Sequence, residues 1–339
     1  MRYPKFLTPG GTIGLVAPSF GCPAPFSAAL ELAQGKLFSL GHELAEGPNC
    51  RSSHGLGISA SPEECAWELT DGYTSSYCDV LISCSGGELM CRILDHLDLE
   101  RIAQAEPKWF MGFSDNTNFT FLLTTLFDTA SIYGPCALSF GMEPWHPCIQ
   151  DAYDLICGKK LEVGSYTGYQ SKPGFEGAVP GAPYDIDTPL SLAIYPEGPV
   201  ECSGRLLGGC LDVLINLCGT EYDQVAQFAD RYQEDGILWF LEACDLNVFG
   251  ICRALWQLEH AGWFQHVSGF LIGRPLNGDE SMGMDRYTAV LEILGKYEVP
   301  VIMDVDLGHV PPAMPLICGS YAHVWADGDE LTVSMELKE

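Results

Sequence analysis

The run Trp109-Phe110-Met111-Gly112-Phe113-Ser114-Asp115-Asn116, followed directly by Thr117-Asn118-Phe119-Thr120-Phe121-Leu122-Leu123, decides the fold. A short apolar run stops at Gly112, and a dense apolar segment resumes within a few residues. Phe119, Leu122, Leu123 and Leu126 recur at three- and four-residue spacing, the period of a buried helix. A strand, a sharp turn and a helix are therefore expected, with one hydroxyl, Ser114, on the turn. Such a turn lifts a serine out of the sheet and aims backbone N–H groups of the new helix at the space above it. The other use of Ser114 is to cap the helix, with Asp115 and Asn116 sharing the task. The segment alone leaves both open.

Working outward, the same alternation recurs. Thr12-Ile13-Gly14-Leu15-Val16-Ala17 is a β-rich run ending at Pro18-Ser19, and about 26–40 reads as a helix stopped by Gly41. Ser61-Pro62-Glu63-Glu64 opens another helix: serine at the cap, proline in the first turn and glutamate three residues on make a capping box. Val80-Leu81-Ile82-Ser83-Cys84 is a buried strand leaving through Ser85-Gly86-Gly87, with a helix expected through Leu89, Cys91, Ile93 and Leu94. Strands alternating with helices imply βαβ units and a largely parallel α/β sheet. Sites in such sheets lie beyond the carboxyl ends of the strands. Three such ends are present: Pro18-Ser19, Ser85-Gly86-Gly87 and Phe113-Ser114-Asp115.

The pattern breaks over 159–201, where Gly164, Pro173, Gly177, Pro180, Pro196 and Pro199 are among a crowd of turn formers. We expect a Gly/Pro-rich linker there, between an N-terminal domain over 1–158 and a C-terminal domain over 202–339. A chain of 339 residues exceeds one usual core, which fits two domains. In the second, strands are expected at Gly236–Leu241, Gly269–Gly273 and Val299–Asp304, with a final hairpin around Asp327-Gly328-Asp329.

Composition limits the function classes. With 47% hydrophobic and 18% charged residues the chain is globular rather than extensively disordered. The formal charge of −28, and the lack of any Lys/Arg run, argue against a nucleic-acid partner. Fifteen cysteines are scattered, several in apolar runs as Cys84, Cys244, Cys252 and Cys318 are, and none forms a CxxC pair. They read as small buried hydrophobes rather than as a zinc or dithiol framework. The first ten residues lack a signal-peptide core, and no run approaches the roughly 18 apolar residues of a membrane span. A cytoplasmic protein with reduced thiols and no membrane contact is expected.

Two further residues bear on chemistry. Glu242 is the first carboxylate after a largely apolar strand, and His309 stands in the loop Asp306-Leu307-Gly308-His309-Val310-Pro311-Pro312. Each reads equally well as an ordinary strand-end or loop residue. With Ser114 they supply a hydroxyl, a carboxylate and an imidazole at strand ends. Serine needs a base to ionise at neutral pH, histidine can supply it, and a carboxylate on the other ring nitrogen fixes the tautomer. In this order the nucleophile belongs to one domain and the acid and base to the other, so the site is expected in the cleft between them.

These residues resemble the LD-carboxypeptidase family, which includes the muramoyltetrapeptide carboxypeptidases and the microcin C immunity peptidases. Gly11 through Ser19 resembles the family's opening strand and loop, Gly112-Phe113-Ser114-Asp115 its nucleophile turn, and Tyr133-Gly134-Pro135 the segment that follows. Gly204 through Gly209 with Gly219-Thr220, then Leu241-Glu242, then Gly308-His309 with Pro315 and Gly319, complete the likeness along nearly the whole chain. The resemblance implies a flavodoxin-like N-terminal domain and a smaller, swivelling C-terminal domain. It implies a serine peptidase with Ser114 as nucleophile, His309 as base then acid, and Glu242 orienting His309. The oxyanion hole is then the backbone N–H of Asp115 and of Gly87. No metal or organic cofactor is implied, and a homodimer is expected. Release of D-alanine from a murein tetrapeptide is the first activity implied, hydrolysis of a microcin-type peptidyl-nucleotide amide the second. From another class, a catalytically silent binder of peptidoglycan fragments is the third.

The chain departs from the family pattern at Glu88 and Leu89, where an aromatic and a small residue are usual, and at Cys210, where asparagine is usual. Glu88 is expected to place a negative charge at the mouth of the site and so to bear on substrate choice. Ile272-Gly273-Arg274-Pro275 leans toward the microcin-immunity branch. A carboxypeptidase needs a cation for the substrate's terminal carboxylate. Arg92, Arg205 and Arg274 are available for this, the sequence does not decide which of them faces the cleft, and Arg274 is carried with Glu88 as a substrate-binding candidate.

Overall fold

The computed structural model describes residues 1–55, 57–172, 174 and 179–339; Pro173 and Gly177 of the Gly/Pro-rich stretch lie outside the described residues. Two sheets organise the chain. In the first, β1 (Thr12–Val16), β2 (Glu43–Glu46), β3 (Val80–Ser83), β4 (Trp109–Gly112) and β5 (Ser131–Tyr133) run parallel in the order β2-β1-β3-β4-β5. This is the flavodoxin-like order, and it reverses between β1 and β3, where such sheets open a crevice for ligands. Every residue of β3 and β4 is buried, as central parallel strands covered on both faces require. The strand Leu316–Cys318 returns from far along the sequence to pair antiparallel with β5.

The helices around this sheet follow their local signals. Pro62–Thr74 begins with both bonds of the expected capping box, Glu64 N–H donating to Ser61 Oγ and Ser61 N–H donating to Glu64 Oε2. The segment after Gly87 differs from expectation: Met90–His96 is a 3-10 helix rather than an α-helix. The Asp115 carboxylate takes the Met90 N–H, and extended backbone at Leu97 stops the run. One short segment held at both ends gives α-helical bonding little length over which to propagate.

The second sheet has eight strands. Val200–Cys210, Ile237–Glu242, Val267–Gly273 and Val301–Val305 form its parallel centre. Tyr321–Asp327 and Glu330–Glu336 form the expected hairpin, with Asp327 opposite Glu330 and Gly328-Asp329 as the loop. The stretch read as a linker carries more structure than that. Glu162–Gly164 pairs with Glu330–Glu336 and Ala193–Tyr195 pairs with Val301–Val305, so 159–201 supplies both edges of this sheet. Open edges expose unpaired backbone groups, and short strands that cover them remove that liability. Short strands are compatible with the sequence of this stretch, but their brevity and the surrounding Gly and Pro hid their positions and partners.

The two sheets are joined through the helix that follows Ser114. Thr117–Thr125 is buried at every position. Cys210 N–H donates to Thr117 Oγ1 at 3.1 Å. Phe121 stacks on Trp263 at 5.3 Å between ring centroids, and Trp263 stacks on Trp239 at 5.8 Å. Trp239 lies on the strand that ends at Glu242, so the core holds the Ser114 turn against that strand.

Candidate active site

Ser114 sits where β4 ends. Its φ is +62°, in the left-handed region that a non-glycine residue adopts only when its surroundings impose it. Ser114–Asn116 forms a single 3-10 turn that leads into the helix Thr117–Thr125. The Ser114 side chain makes no capping bond. Its Oγ lies 2.8 Å from His309 Nε2, so the cap reading gives way to a hydroxyl paired with an imidazole.

His309 Nδ1 lies 2.8 Å from Glu242 Oε2. An ionised carboxylate only accepts, so Nδ1 carries a proton; once the imidazole is neutral, Nε2 is the nitrogen that accepts from Ser114 Oγ–H. Glu242 is 1% exposed at the end of its strand. Gly308 has φ +86°, and a Cβ there would lie 2.3 Å from Glu242 Oε2. Only glycine lets the His309 loop cross the carboxylate so closely.

The carboxylate has a second partner. Tyr133, the last residue of β5, donates its hydroxyl to Glu242 Oε1 at 2.6 Å and accepts the Ser114 N–H at 3.2 Å. The four side chains and the Ser114 backbone thus close a hydrogen-bonded ring from Ser114 through His309, Glu242 and Tyr133 back to Ser114. The sequence reading missed this part for Tyr133. A buried tyrosine at a strand end next to a Gly-Pro turn was its only signal.

Charge and burial set the protonation states. Burial disfavours a charged His309, but the Glu242 charge and hydrogen bonds with Cys244 and Glu242 outweigh it and hold the imidazole well above its ordinary value. Burial likewise disfavours the Glu242 carboxylate, yet His309 and the bonds from Tyr133 keep it below the usual range. Burial and the Glu242 charge push Tyr133 well up, so its phenol stays neutral and donates.

The other two strand ends converge on the same place. A Cβ on Gly86 would lie 3.2 Å from Ser114 Cβ, which puts the Ser85-Gly86-Gly87 turn against the Ser114 turn. Gly87 has φ +155°, and a Cβ there would meet Ser19 Oγ at 2.0 Å. Ser19, from the end of β1, donates its hydroxyl to the Asp115 carboxylate. That carboxylate also accepts Met90 N–H at 2.8 Å and Asn118 Nδ2–H at 3.0 Å. Asp115 therefore ties all three strand ends together through its side chain, leaving its backbone N–H beside Ser114. The Ser114 N–H itself is held by the Tyr133 hydroxyl.

A cleft of about 440 Å³ opens over these residues. Gly87, Glu88, Ser114, Tyr133 and His309 reach it, together with residues 179 and 181–184 from the Gly/Pro-rich stretch. Glu88 stands in its wall as expected, and burial together with the charges of Asp245, Asp115 and Asp212 raises its pKa. Arg274 is elsewhere, which corrects its assignment to the substrate. Its guanidinium is buried, donates to Asp304 O at 2.5 Å and to the Asp306 carboxylate, and lies 4.4 Å from the Tyr169 ring centre. An arginine with a buried acidic partner two residues beyond another acid is held for structure. Arg205 is buried against Asp235 at 2.7 Å, and Arg92 is exposed on the 3-10 helix; neither lines the cleft.

Cys210, Glu242 and His309 place a thiol, a carboxylate and an imidazole within 4.8 Å of one another, donor types that zinc accepts. Here Glu242 and His309 satisfy each other, so a cation among the three would have to break that bond. Among the described residues all fifteen cysteines are free, and no helix is long and apolar enough to cross a membrane.

Comparison with known proteins gives a consistent result. The family model described as the LD-carboxypeptidase N-terminal domain matches residues 13–134, and that of the LD-carboxypeptidase C-terminal domain matches residues 203–324. The microcin C7 self-immunity protein MccF of Escherichia coli is 24% identical, with 97% of this chain and 94% of that protein covered. A probable murein peptide carboxypeptidase of Bacillus subtilis is 23% identical over 94% of this chain and 90% of its own length. Among solved structures, an MccF-like protein from Bacillus anthracis superposes with a TM-score of 0.84 at 21% identity, covering 99% of this chain and 100% of that one.

Proposed function

The chain belongs to the LD-carboxypeptidase family, and from that membership we propose that it is a serine hydrolase cleaving an amide of a small peptide through an acyl-enzyme. The observation that carries this reading is the ring of hydrogen bonds joining Ser114, His309, Glu242 and Tyr133 in the floor of the cleft. We read 1–158 as the unit that bears the nucleophile and 202–339 as the unit that bears the acid and base.

The steps follow from the protonation pattern. His309 Nε2 takes the Ser114 hydroxyl proton as Oγ attacks the carbonyl carbon, and the new negative charge falls on the carbonyl oxygen. The Asp115 and Gly87 N–H groups receive that oxygen, each worth about 3 kcal/mol of barrier when preorganised. Glu242 stabilises the imidazolium formed. His309 then returns the proton to the leaving nitrogen, the C–N bond breaks, and water enters by the reverse sequence.

The family's description points first to the terminal L,D bond of a murein tetrapeptide, with D-alanine as leaving group. A microcin-type peptidyl-nucleotide amide is the second reading, favoured by the relation to MccF. Both share the chemistry at the carbonyl and differ in what leaves. A panel of UDP-MurNAc-tetrapeptide, its C-terminal carboxamide and an aminoacyl sulfamoyl adenosine, read by mass spectrometry beside Ser114→Ala, tests the reading. Turnover of any member by wild type alone supports it. No turnover of any, with no labelling by a fluorophosphonate, overturns it and leaves the binding-protein reading.

A further inference from the structure

Resting on Ser114 as nucleophile and His309 as base, we propose that Cys210, Glu242 and His309 form an inhibitory site for zinc. The strand pairing brings the ligands together. Cys210 ends the strand Val200–Cys210, Glu242 ends Ile237–Glu242, and the two are register partners in the parallel sheet. Register partners project to the same face of a sheet, and the Cys210 thiol is hydrogen-bonded to Glu242. The loop carrying His309 adds an imidazole, with Nδ1 at 2.8 Å from Glu242 Oε2. One donor atom from each of the three residues lies within 4.8 Å of the other two.

Thiolate, carboxylate and imidazole are all zinc ligands, with bonds of about 2.0–2.3 Å that leave tetrahedral donors roughly 3.5 Å apart. The thiol has to draw in and the Glu242–His309 pair to open, each by about an ångström or less on that geometry. Cys210 and Glu242 are 2% and 1% exposed, and a net charge so deeply buried is costly. One thiolate and one carboxylate cancel the charge of a divalent cation, which removes that cost. The asparagine usual in the family pattern at position 210 offers no anionic sulfur, so the site is a property of this chain. The cation has a route through the cleft, which His309 lines. Glu88 in the wall, with Asp212 and Asp245 near it, makes that end negative and draws cations in. Cys244 lines the same cleft and is hydrogen-bonded to His309, a further thiol for the fourth position.

Binding has a defined proton balance. The Cys210 thiol gives its proton to solvent, and a neutral imidazole moves its proton from Nδ1 to Nε2 as Nδ1 takes the metal. An imidazolium keeps its Nε2 proton and gives the Nδ1 proton to solvent. Either way Nε2–H now faces Ser114 Oγ, 2.8 Å away, and cannot accept the serine proton. The Glu242 carboxylate, bound to metal, no longer fixes the tautomer. Catalysis stops with no covalent bond between heavy atoms made or broken, so removing the metal restores it.

The test uses the intact protein in zinc chloride or EDTA, with Ser114 modification by a neutral fluorophosphonate followed by intact mass. Zinc at about 10 µM should slow the wild type at least about tenfold, as a dissociation constant of about 1 µM implies, and EDTA should restore the rate. Cys210→Asn and Cys210→Ser, each compared with itself in EDTA, should be slowed less than about twofold. Cadmium supplies a readout that needs no labelling. Its thiolate absorption in the ultraviolet should be larger in Ser114→Ala than in Ser114→Ala combined with Cys210→Asn. Equal slowing of the wild type and both Cys210 variants, no slowing of the wild type, or no cadmium difference each overturns the proposal. No adduct even in EDTA overturns the nucleophile instead, and the cadmium difference then decides the metal site by itself.

Discussion

The Tyr133 hydroxyl bridges the two halves of the site: it donates to Glu242 Oε1 at 2.6 Å and accepts the Ser114 N–H at 3.2 Å. One phenol thereby fixes both the carboxylate behind the base and the backbone under the nucleophile. Tyr133→Phe leaves Glu242 Oε1 buried without that donor, a loss of about 1–3 kcal/mol. We predict a fall of roughly tenfold in kcat with little change in KM. The acidic limb of the pH–rate profile should move upward, because Glu242 then attracts the His309 proton more strongly. A profile that keeps its limb while stability alone falls would reduce Tyr133 to a packing role.

The pH dependence has a definite sign. His309 must be neutral at Nε2 to accept the serine proton, and Glu242 holds its pKa well above 6.5. Acylation should therefore rise with pH through a limb that lies above the ordinary histidine value. Glu242→Gln removes the charge that raises the imidazole and leaves burial, which lowers it. The limb should move down, and the maximal rate should fall by about 10²-fold or more. Acylation rates from pH 5 to 10 measure both.

Gly87 is predicted to tolerate no side chain. Alanine there meets Ser19 Oγ at 2.0 Å and must hold φ near +155°. The turn would shift, and one oxyanion donor with it. We expect Gly87→Ala to lower kcat by about 10²-fold, with a much smaller change in the urea midpoint. A fully active Gly87→Ala would remove this turn from the oxyanion site.

Phe121 tests the coupling of the sheets. It stacks on Trp263, which stacks on Trp239 three residues before Glu242. Truncation to alanine is expected to cost about 3–5 kcal/mol of stability, seen as a lower urea midpoint. A change under about 1 kcal/mol would show that the helix after Ser114 and the second sheet are held by other contacts.

Much of this was legible in the sequence because the signals were local. The strand, turn and helix around Ser114 stood out through a change of apolar period, and the capping box at Ser61 needed only four residues. The joining of Ser114, Glu242 and His309 was legible as a pattern of residue types at strand ends, which left it open, and through the resemblance to the LD-carboxypeptidase family. What local patterns could not carry was long-range pairing. The return of Leu316–Cys318 into the first sheet and the edge strands inside 159–201 depend on partners more than a hundred residues away. Arg274 misled for the same reason: the Asp306 that neutralises it lies 32 residues downstream. Tyr133 was hidden because its partners are Glu242, 109 residues on, and a backbone N–H.

The most direct test of the central claim is intact-mass and peptide-mapping analysis of the protein treated with a neutral fluorophosphonate at pH 8. Ser114→Ala and His309→Ala variants of matched circular dichroism are treated in parallel. The account predicts one adduct per chain, on Ser114, absent from Ser114→Ala and formed at least about a hundredfold more slowly in His309→Ala. Labelling of Ser114→Ala at the wild-type rate, or no adduct on wild type, would contradict it.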